Sequence, residues 1–394
     1  MSLLVTVTGP DHPGVTASLF DALAGAEFTD VEQVVVHGQL LLGFVLAGDS
    51  TSLRAAVSDA ATAVDVNVVF TPLPEDEVRG AAVRHHVTVL GLPLPPAALA
   101  GIARRLSTGG ANIESIRRLS SYPAPSYELV VAGGETDALR GALAAEAVAQ
   151  GVDIAVEQAS LYRRARRLVV MDVDSTLVQG EVIEMLAAEA DCEDEVARVT
   201  ALAMAGELDF EESLRARVAL LKGLPVDAVD RVRAAVRLTP GARTLVRTLK
   251  RMGYAVGIVS GGFTAVTDDL VSSLGLDHAI ANVLEVADGR LTGSVVGDVV
   301  DRATKAAALR RFAQLEGVTL AQTVAIGDGA NDLDMLAAAG LGIAFNAKPV
   351  VRDAADTAVS VPFLDAVLFL LGISREEIEA ADASDVGSRG RPRS

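Results

Sequence analysis

The chain has 394 residues, of which half are apolar and 22% are charged, a composition typical of soluble globular proteins rather than disordered ones. At this length we expect two or three domains. The formal net charge of -18 argues against a broad nucleic-acid surface, because neutralising phosphates needs clustered Lys and Arg residues. An anionic ligand must therefore meet positive charge at a local site.

The N-terminal residues are typical of a strand followed by a turn, and they contain neither a basic leader nor a cleavable apolar stretch. The late apolar run from Val361 to Ile373 is interrupted by Asp365 and is shorter than the ~20 residues that span a bilayer. The single cysteine, Cys192, lies among acidic residues and closes no intrachain disulfide. We therefore expect a cytoplasmic protein without a membrane partner.

The N-terminal part of the chain contains an internal repeat. The alternating run Val5–Gly9 recurs 82 residues later as Val87–Gly91, and Val31–Gln33 recurs at the same offset as Ile113–Ser115. Both copies predict the element order β-α-β-β-α-β. The last strands are predicted at 64–71 and 152–159, with residues 72–80 as the linker between the copies. We place the two domains at residues 1–75 and 82–162.

A third domain is predicted at residues 165–380. The basic run Arg163–Arg167 stands immediately before the apolar strand Leu168–Met171, and an alternation of strands and helices follows. In so acidic a chain the run favours a solvated hinge over a nucleic-acid patch. Residues 382–394 are rich in Gly, Ser, Arg and Asp, which predicts a disordered tail.

Three apolar strands of the third domain end in polar, glycine-rich turns, LVVMDVDST, AVGIVSGGF and TVAIGDGAND. The carboxyl ends of parallel strands meet at one edge of a sheet, where ligands bind. That edge would collect six polar residues, Asp172, Asp174, Ser260, Asp328, Asn331 and Asp332. Carboxylates that converge without a cation repel one another, so a hard divalent ion such as magnesium would compensate them.

Asp172 and Asp174 are two residues apart at a strand end, so both can address one substrate from one side. One carboxylate can attack phosphorus in line and form an acyl phosphate, while the second handles the proton. Taken alone, such a pair is more often a turn or a helix cap.

The other motifs offer groups that suit a phosphate. The turn at Ser260 and Gly261 presents a hydroxyl and unobstructed backbone N–H groups, although a plain strand-to-helix turn explains it equally well. Lys305 is predicted to begin the helix 306–315, where its ammonium could offset negative charge, although most lysines at helix starts are solvated. Asn331 and Asp332 fall in the first turn of a helix, whose dipole favours a carboxylate even without a ligand.

In this order the motifs resemble the haloacid dehalogenase superfamily of phosphotransferases. The segments DVDST, EVIEML, LDFEESLRARV, SGGF and GDGANDLDM are similar to its phosphoserine phosphatases, over about residues 165–375. The resemblance implies an α/β fold with a Rossmann-like parallel sheet and a helical cap at about 181–236 that closes over the site. It also implies hydrolysis of O-phospho-L-serine to serine and phosphate, the last step of serine biosynthesis.

The resemblance further implies residue roles. Asp172 would attack phosphorus, and Asp174 would protonate the seryl oxygen and then activate water. Magnesium would bind Asp172, the Asp174 carbonyl and Asp328. The phosphate would be held by Ser260, the Gly261 amide, Lys305 and Asn331, with Asp332 supporting the metal ligands. Glu181 and Arg217 would bind the ammonium and carboxylate of phosphoserine, although other charges share their segment and spacing alone does not select them.

The two N-terminal repeats resemble ACT domains, ferredoxin-like modules that bind amino acids between paired copies. In the first copy, the turn GPDHPGV leaves amides at a helix start, so Asp11 and Gly14 form a candidate effector site. Asp11 is equally plausible as a simple N-cap. The second copy has Pro95 and Pro96 where the first has Pro13 and Gly14, and it therefore lacks one backbone donor. We hypothesise that L-serine binds the first copy and that the ACT domains hold a homodimer.

Two other functions remain open from the sequence. The chain could act on another small phosphomonoester or transfer phosphate to another acceptor, and only the cap separates these enzymes. It could also be an amino-acid sensor with a vestigial phosphatase domain, although the intact motif residues argue against this. The five histidines lie outside the motifs, which argues against a phosphohistidine or a Ser-His-Asp mechanism.

Overall fold

Two compact units make up the chain, Met1–Ala82 and Val83–Ser394. The computed structural model describes residues 2–74, 82–204 and 207–389, so most of the predicted linker at 72–80 lies outside the described residues. Within those ranges, no helix combines the length and the apolar character needed to cross a membrane.

The first unit is a four-stranded antiparallel sheet with two helices, in strand order β2-β3-β1-β4. Its elements are β1 (Ser2–Pro10), α1 (Val15–Asp21), β2 (Phe28–Val36), β3 (Gln39–Ala47), α2 (Thr51–Ala63) and β4 (Asn67–Leu73). Alternate residues Leu3, Val5 and Val7 of β1 are buried, as the period of two predicts. The last strand begins later than predicted because Val64 caps α2 and Asp65 turns the chain at a φ of 55°.

The second unit opens with the same β-α-β-β-α-β order, and its sheet has the equivalent strand order β6-β7-β5-β8. The elements are β5 (Arg84–Leu90), α3 (Pro96–Thr108), β6 (Ala111–Ser120), β7 (Ser126–Gly133), α4 (Thr136–Gln150) and β8 (Asp153–Gln158). Val87 and Val89 are buried in β5, at the positions that Val5 and Val7 occupy in the first repeat. The structure therefore confirms the predicted pair of ferredoxin-like domains.

A seven-stranded sheet follows in the order β12-β11-β10-β9-β13-β14-β15, parallel except for the hairpin of β11 and β12. Its strands are β9 (Leu168–Met171), β10 (Ala255–Phe263), β11 (His278–Ala287), β12 (Arg290–Val296), β13 (Thr323–Gly327), β14 (Leu341–Phe345) and β15 (Thr357–Val359). Val169 and Met171 of β9 face one apolar core, whereas Leu168 and Val170 face another. Cores on both faces of a parallel sheet confirm the predicted Rossmann-like class.

Helices cover this sheet and fill the interval after the first motif. They are α5 (Leu161–Arg164), α6 (Val182–Glu189), α7 (Glu193–Met204), α8 (Phe210–Leu220), α9 (Val226–Ala235), α10 (Ala242–Arg251), α11 (Thr264–Leu274), α12 (Arg302–Leu315), α13 (Leu333–Ala338), α14 (Pro349–Ala354), α15 (Val367–Leu370) and α16 (Arg375–Arg389). Helices α6 to α9 occupy the interval in which the sequence predicted a helical cap, at about 181–236.

The basic run before β9 is not the solvated hinge that the sequence predicted. Arg166 is buried and pairs with Glu157, while Arg163 donates hydrogen bonds to Glu157 at 3.1 Å and to Glu128 at 2.7 Å. Both glutamates belong to the second ferredoxin-like domain and are buried, and these arginines help to compensate their charges, together with Arg117 at Glu128. The basic run therefore connects the second ferredoxin-like domain to the domain that follows it through buried ion pairs.

The C-terminal segment also differs from the prediction. Helix α16 continues to Arg389, so the expected disorder from residue 382 is corrected for residues 382–389, and residues 390–394 lie outside the described part. Asp382 explains the local order because its two carboxylate oxygens accept hydrogen bonds from Arg247 and Arg251 of α10.

Candidate active site

The predicted site residues meet at the carboxyl edge of the parallel sheet. Strands β10, β9 and β13 are neighbours in that sheet, so the turns that follow them converge. They border a cavity of about 710 Å³, a volume suited to a small metabolite. Seven predicted residues line it, namely Asp172, Asp174, Glu181, Arg217, Gly261, Asp328 and Asn331. The structure buries the other three, Ser260, Lys305 and Asp332, behind this lining.

A buried lysine joins two of the carboxylates. The Nζ atom of Lys305 lies 2.7 Å from Oδ1 of Asp172 and 2.7 Å from Oδ1 of Asp332. Burial alone lowers the pKa of Lys305, but the two carboxylates outweigh burial and raise that pKa. Burial, with Asp332 nearby, raises the pKa of Asp172 well above its ordinary value. Within the described residues Oδ2 of Asp172 accepts no hydrogen bond, so one oxygen of this carboxylate is held and the other is available.

The turn after β9 holds Asp174 between two elements. Residues Val173–Leu177 form a tight irregular turn, in which Ser175 adopts a φ of 55°. One carboxylate oxygen of Asp174 accepts the backbone N–H of Val182 at 2.8 Å, and the other accepts the hydroxyl of Ser260 at 3.2 Å. Burial, followed by the charge of Glu181, raises the pKa of Asp174 to about 6. Asp174 can therefore give or take a proton near neutral pH.

The glycine-rich segment at the carboxyl end of β10, where the strand register shifts between Val259 and Phe263, leaves no room for larger residues. The Ser260 hydroxyl accepts the N–H of Gly262 at 2.8 Å, which folds the turn back on itself. A Cβ atom at Gly262 would lie 2.8 Å from Oδ2 of Asp174 and 2.9 Å from Oγ of Ser260. At Gly261 it would lie 3.1 Å from the ring of Phe210 on the cap helix α8. Backbone and carboxylate therefore approach each other closely at this position.

Helix α12 starts earlier than the sequence predicted. It begins at Arg302 rather than at Lys305, because the Asp301 side chain caps it by accepting the backbone N–H of Thr304 at 2.8 Å. Lys305 therefore lies one turn inside the helix, where its side chain is fully buried. It is not one of the solvated lysines common at helix starts.

Three carboxylates could hold a metal ion, since oxygen atoms of Asp172, Asp328 and Asp332 all lie within 4.8 Å of one another. Burial, and then the charges of Asp332 and Glu181, raise the pKa of Asp328 to about 7. Asp332 already accepts bonds from Lys305 and, at 3.0 Å, from the N–H of Gly329. Asp172 and Asp328 are therefore the freer ligands, and a hard divalent cation fits this oxygen-only set.

The cap side of the cavity carries the two predicted recognition residues. Glu181 precedes α6, where its carboxylate accepts the Ser175 hydroxyl at 2.9 Å. Arg217 of α8 donates its Nε hydrogen to the carbonyl of Ser213 at 3.3 Å. Burial lowers the pKa of Arg217, and the charges of Glu181 and Asp174 oppose that shift. Phe210 of α8 also lines the cavity.

Two supporting residues were not predicted from the sequence. Asn282 of β11 is buried, donates to the carbonyl of Gly261 at 2.8 Å and accepts the N–H of Val300 at 2.9 Å. Thr176 is likewise buried and donates to Oδ1 of Asp328 at 3.2 Å. A polar residue within an apolar strand, such as Asn282, or next to a motif aspartate, such as Thr176, was the only indication in the sequence. The fold is needed to show which neighbour each residue contacts.

The candidate effector residues lie in the first unit. Gly14 is the N-cap of α1 and has a φ of 102°, a conformation that favours glycine. Asp11 is exposed, and its backbone N–H donates to the carbonyl of Gly38 at 2.8 Å. Its alternative role as the N-cap of α1 is therefore wrong.

Comparison with known proteins agrees with this architecture. Residues 169–337 match the family model of haloacid dehalogenase-like hydrolases, and residues 1–71 and 83–157 match two ACT domain models. A phosphoserine phosphatase of Streptomyces coelicolor is 61% identical over 401 residues, covering 99% of this chain and 98% of the relative. One of Mycobacterium tuberculosis is 50% identical, covering 99% and 97%.

A solved structure described as a phospho-aspartyl intermediate analogue of phosphoserine phosphatase is 45% identical. The match covers 52% of this chain and 98% of that one, with a TM-score of 0.50. Fold, site and matches together define a haloacid dehalogenase-like hydrolase that carries two ACT domains. Within that class, the chain belongs to the phosphoserine phosphatase family. Both resemblances drawn from the sequence are confirmed.

Proposed function

We propose that the chain hydrolyses O-phospho-L-serine to L-serine and phosphate through an aspartyl-phosphate on Asp172. The observation that supports this most is the buried Lys305, which holds one oxygen of Asp172 while the other remains available. Two relatives that match nearly the whole chain carry the name phosphoserine phosphatase. We further propose that the reaction serves serine biosynthesis in the cytoplasm.

In the first step, an oxygen of Asp172 attacks phosphorus and the bond to the seryl oxygen breaks. Asp174 in its acid form gives that oxygen a proton, which releases serine. In the second step, Asp174 takes a proton from water, the resulting hydroxide attacks the acyl phosphate, and phosphate leaves Asp172. A pKa of about 6 supports both duties of Asp174, because neither protonation state is costly near neutral pH.

Phosphate would be held by groups that line the cavity or lie directly behind its lining. The Ser260 hydroxyl, the Gly261 amide, the Lys305 ammonium and the Asn331 amide are the proposed donors, and they lie around Asp172 on adjacent turns. Such donors stabilise the charge that spreads over phosphoryl oxygens during transfer. They also keep the phosphate fixed while the leaving group changes.

The residues present fit a magnesium ion. Asp172 and Asp328, with the carbonyl of Asp174, are the proposed ligands, and Asp332 supports them through Lys305 and Gly329. Burial, and then the charge of Asp332, raise the pKa values of Asp172 and Asp328, and this cost of two buried carboxylate charges supports a cation at the site. When bound, magnesium would neutralise the phosphate and carboxylate charges during transfer.

Glu181 and Arg217 are the proposed recognition pair for the amino-acid part of the substrate. Glu181 would accept the ammonium, and Arg217 would bind the carboxylate with two parallel hydrogen bonds. Both line the same cavity as Asp172, and Arg217 retains guanidinium hydrogens beyond the one donated to Ser213.

The family-model matches support domain bounds of 1–75, 82–162 and 165–380, with a cap at about 181–236. We propose that L-serine acts as an effector at Asp11 and Gly14 in the first ACT domain. We also propose a homodimer formed through the ACT domains, because the edge strand β2 is exposed along its whole length. Val31, Val34 and Val36 are 49%, 54% and 50% exposed, which favours a second copy over water at this edge.

The test of the proposed function is phosphate release from L-phosphoserine with magnesium, compared with phosphothreonine, phosphoglycolate and phosphosugars. Asp172→Asn serves as the blank because it keeps the size of the side chain and removes the nucleophile. A preference for phosphoserine that disappears in the variant supports the proposal. Higher activity on another ester would keep the mechanism and overturn the roles of Glu181 and Arg217.

A further inference from the structure

A second cavity lies in the second unit, between the ACT domain and the phosphatase domain. It has a volume of about 340 Å³, which suits a ligand the size of a small amino acid. One wall is formed by α4 and β8 of the ACT domain, and the other by α14 and β15 of the phosphatase domain. The edge strands β8 and β15 are connected by a hydrogen bond, in which the backbone N–H of Ser360 donates to Oδ2 of Asp153 at 2.6 Å.

The polar groups of this cavity carry both signs of charge. Asp153 is buried at 8% exposure, and burial raises its pKa while the charge of Arg352 opposes that shift. The half-buried side chain of Arg352 forms no hydrogen bond or ion pair within the described residues. A guanidinium left without an acceptor beside a buried carboxylate is an arrangement that a ligand with both charges would complete.

The rest of the lining combines small apolar residues, which include Ala144, Ala147, Ile154, Ala355 and Ala358, with the polar residues Arg140, Asp353, Asp356 and Thr357. Two of these already have partners in the protein, since Arg140 donates to the carbonyl of Val156 at 3.2 Å and Asp356 accepts the N–H of Gly342 at 2.8 Å. The small residues leave space for a short aliphatic or hydroxyl-bearing side chain. The catalytic cavity has a different lining, with five acids, Arg217 and Lys348.

Helix α14 joins the two cavities directly. Its residues Val350 and Val351 line the catalytic cavity, whereas Arg352, Asp353 and Ala354, next along the same helix, line the interdomain cavity. A ligand that binds Arg352 therefore contacts a helix that also forms part of the wall of the active site. If the ligand shifts that helix, binding at one site changes the binding free energy at the other.

We propose that the interdomain cavity binds a small α-amino acid as a zwitterion and thereby regulates phosphoserine hydrolysis through α14. Arg352 binds the carboxylate, and Asp153 accepts a hydrogen bond from the ammonium. This site is separate from the proposed effector site at Asp11 and Gly14. The regulatory part rests on the proposed function, whereas the binding part does not.

The test uses the full chain and a matched pair of variants on α4. Ala144 and Ala145 are both exposed, but only Ala144 lines the cavity. Ala144→Leu fills the cavity, and Ala145→Leu adds the same atoms to the surface. Binding of glycine, L-serine and L-valine is measured by titration calorimetry without substrate, and equal melting temperatures show that both variants fold.

We expect the wild type and Ala145→Leu to bind at least one of the three amino acids with equal stoichiometry, and Ala144→Leu to lose one site per chain. Arg352→Gln should weaken that site about 10-fold or more, since a charge-assisted bond is lost. The amino acid should also change KM for phosphoserine in the wild type but not in Ala144→Leu. Equal binding by both leucine variants, or no binding of any probe, would overturn the proposal.

The two proposals fail in different ways. If glycine binds and the site is lost in Ala144→Leu, the binding site stands even when phosphoserine proves not to be the substrate. If phosphoserine is hydrolysed but occupancy of the cavity leaves KM and kcat unchanged, the regulatory link through α14 is wrong and the hydrolase assignment stands.

Discussion

The ammonium of Lys305 lies 2.7 Å from the carboxylate of Asp172, and both side chains are buried. The electrostatic attraction between these two charges is stronger than between two charges on the surface, because little water screens it. The contact connects helix α12 to the turn after β9, so the fold holds the proposed nucleophile in one orientation.

Replacing Lys305 with methionine should lower kcat for phosphoserine by about 100-fold or more, because a donor to the transferring phosphoryl group is lost. Asp172 and Asp332 would also face each other without a cation. Steady-state kinetics with magnesium measure the effect. Lys222→Met, which removes an exposed lysine, is the control and should keep wild-type kcat. Equal activity of the two variants would contradict the role of Lys305.

Arg217→Met should raise KM for phosphoserine by about 10-fold or more, because the substrate carboxylate loses its charge-assisted partner. Phosphoethanolamine, which lacks that carboxylate, should show little change, and comparing the two substrates isolates the contact. Arg215→Met removes an exposed arginine that pairs with Glu211 and should behave like the wild type. A similar loss on both substrates would mean that Arg217 acts on the structure of the cap instead.

Gly262→Ala should abolish most activity while the fold survives. The added methyl group would lie within 3 Å of both the Asp174 carboxylate and the Ser260 hydroxyl, so the acid and the turn must separate. A decrease in kcat of about 100-fold is expected from such a displacement. Gly43→Ala, placed where nothing lies within 4 Å, should leave kcat unchanged. Wild-type kcat for Gly262→Ala would show that the close approach is not needed.

The stability of the metal-free protein should fall as pH rises. Burial raises the pKa of Asp174 to about 6 and of Asp328 to about 7, while the unfolded chain releases these protons near pH 4. The native state therefore holds more protons between pH 4 and 7, and stability decreases through that window. Thermal melts should show the decrease, with Asp328→Asn flattening it and magnesium opposing it near pH 7. A melting temperature that rises through this window would contradict these pKa shifts.

A single charge on the exposed edge of the first ACT domain should separate the proposed homodimer. Val34→Asp places a carboxylate on β2, where charge repulsion and lost apolar burial both oppose pairing. Sedimentation should show a dimer for the wild type and a monomer for the variant. Val286→Asp, at a comparably exposed valine of β11, is the control. A monomeric wild type would refute the dimer.

The motif residues were predictable because parallel strands bring their carboxyl ends to one edge of the sheet. Asp172, Ser260 and Asp328 each lie at the carboxyl end of such a strand. Asn282 was not predictable, because its role depends on a hydrogen bond to a turn 21 residues away. The buried pairing of Arg166 with Glu157 was mistaken for a solvated hinge, since local sequence does not show which charges a neighbouring domain will cover.

The length of helix α16 was missed for a similar reason. Its sequence is rich in small and charged residues, which favours disorder in isolation, but Asp382 pairs with Arg247 and Arg251 of α10. Partners from a distant part of the chain supply the order. The start of α12 was misplaced for a local reason, because the cap at Asp301 begins the helix before Lys305.

The central claim is that Asp172 carries the phosphoryl group during turnover. Incubation with phosphoserine labelled at phosphorus, an acid quench and peptide mapping test it most directly. We predict a label that is stable in acid, labile in alkali and located on the peptide containing Asp172, and no label in Asp172→Asn. Turnover with the label on another residue, or without any covalent label under rapid quenching, would contradict the account.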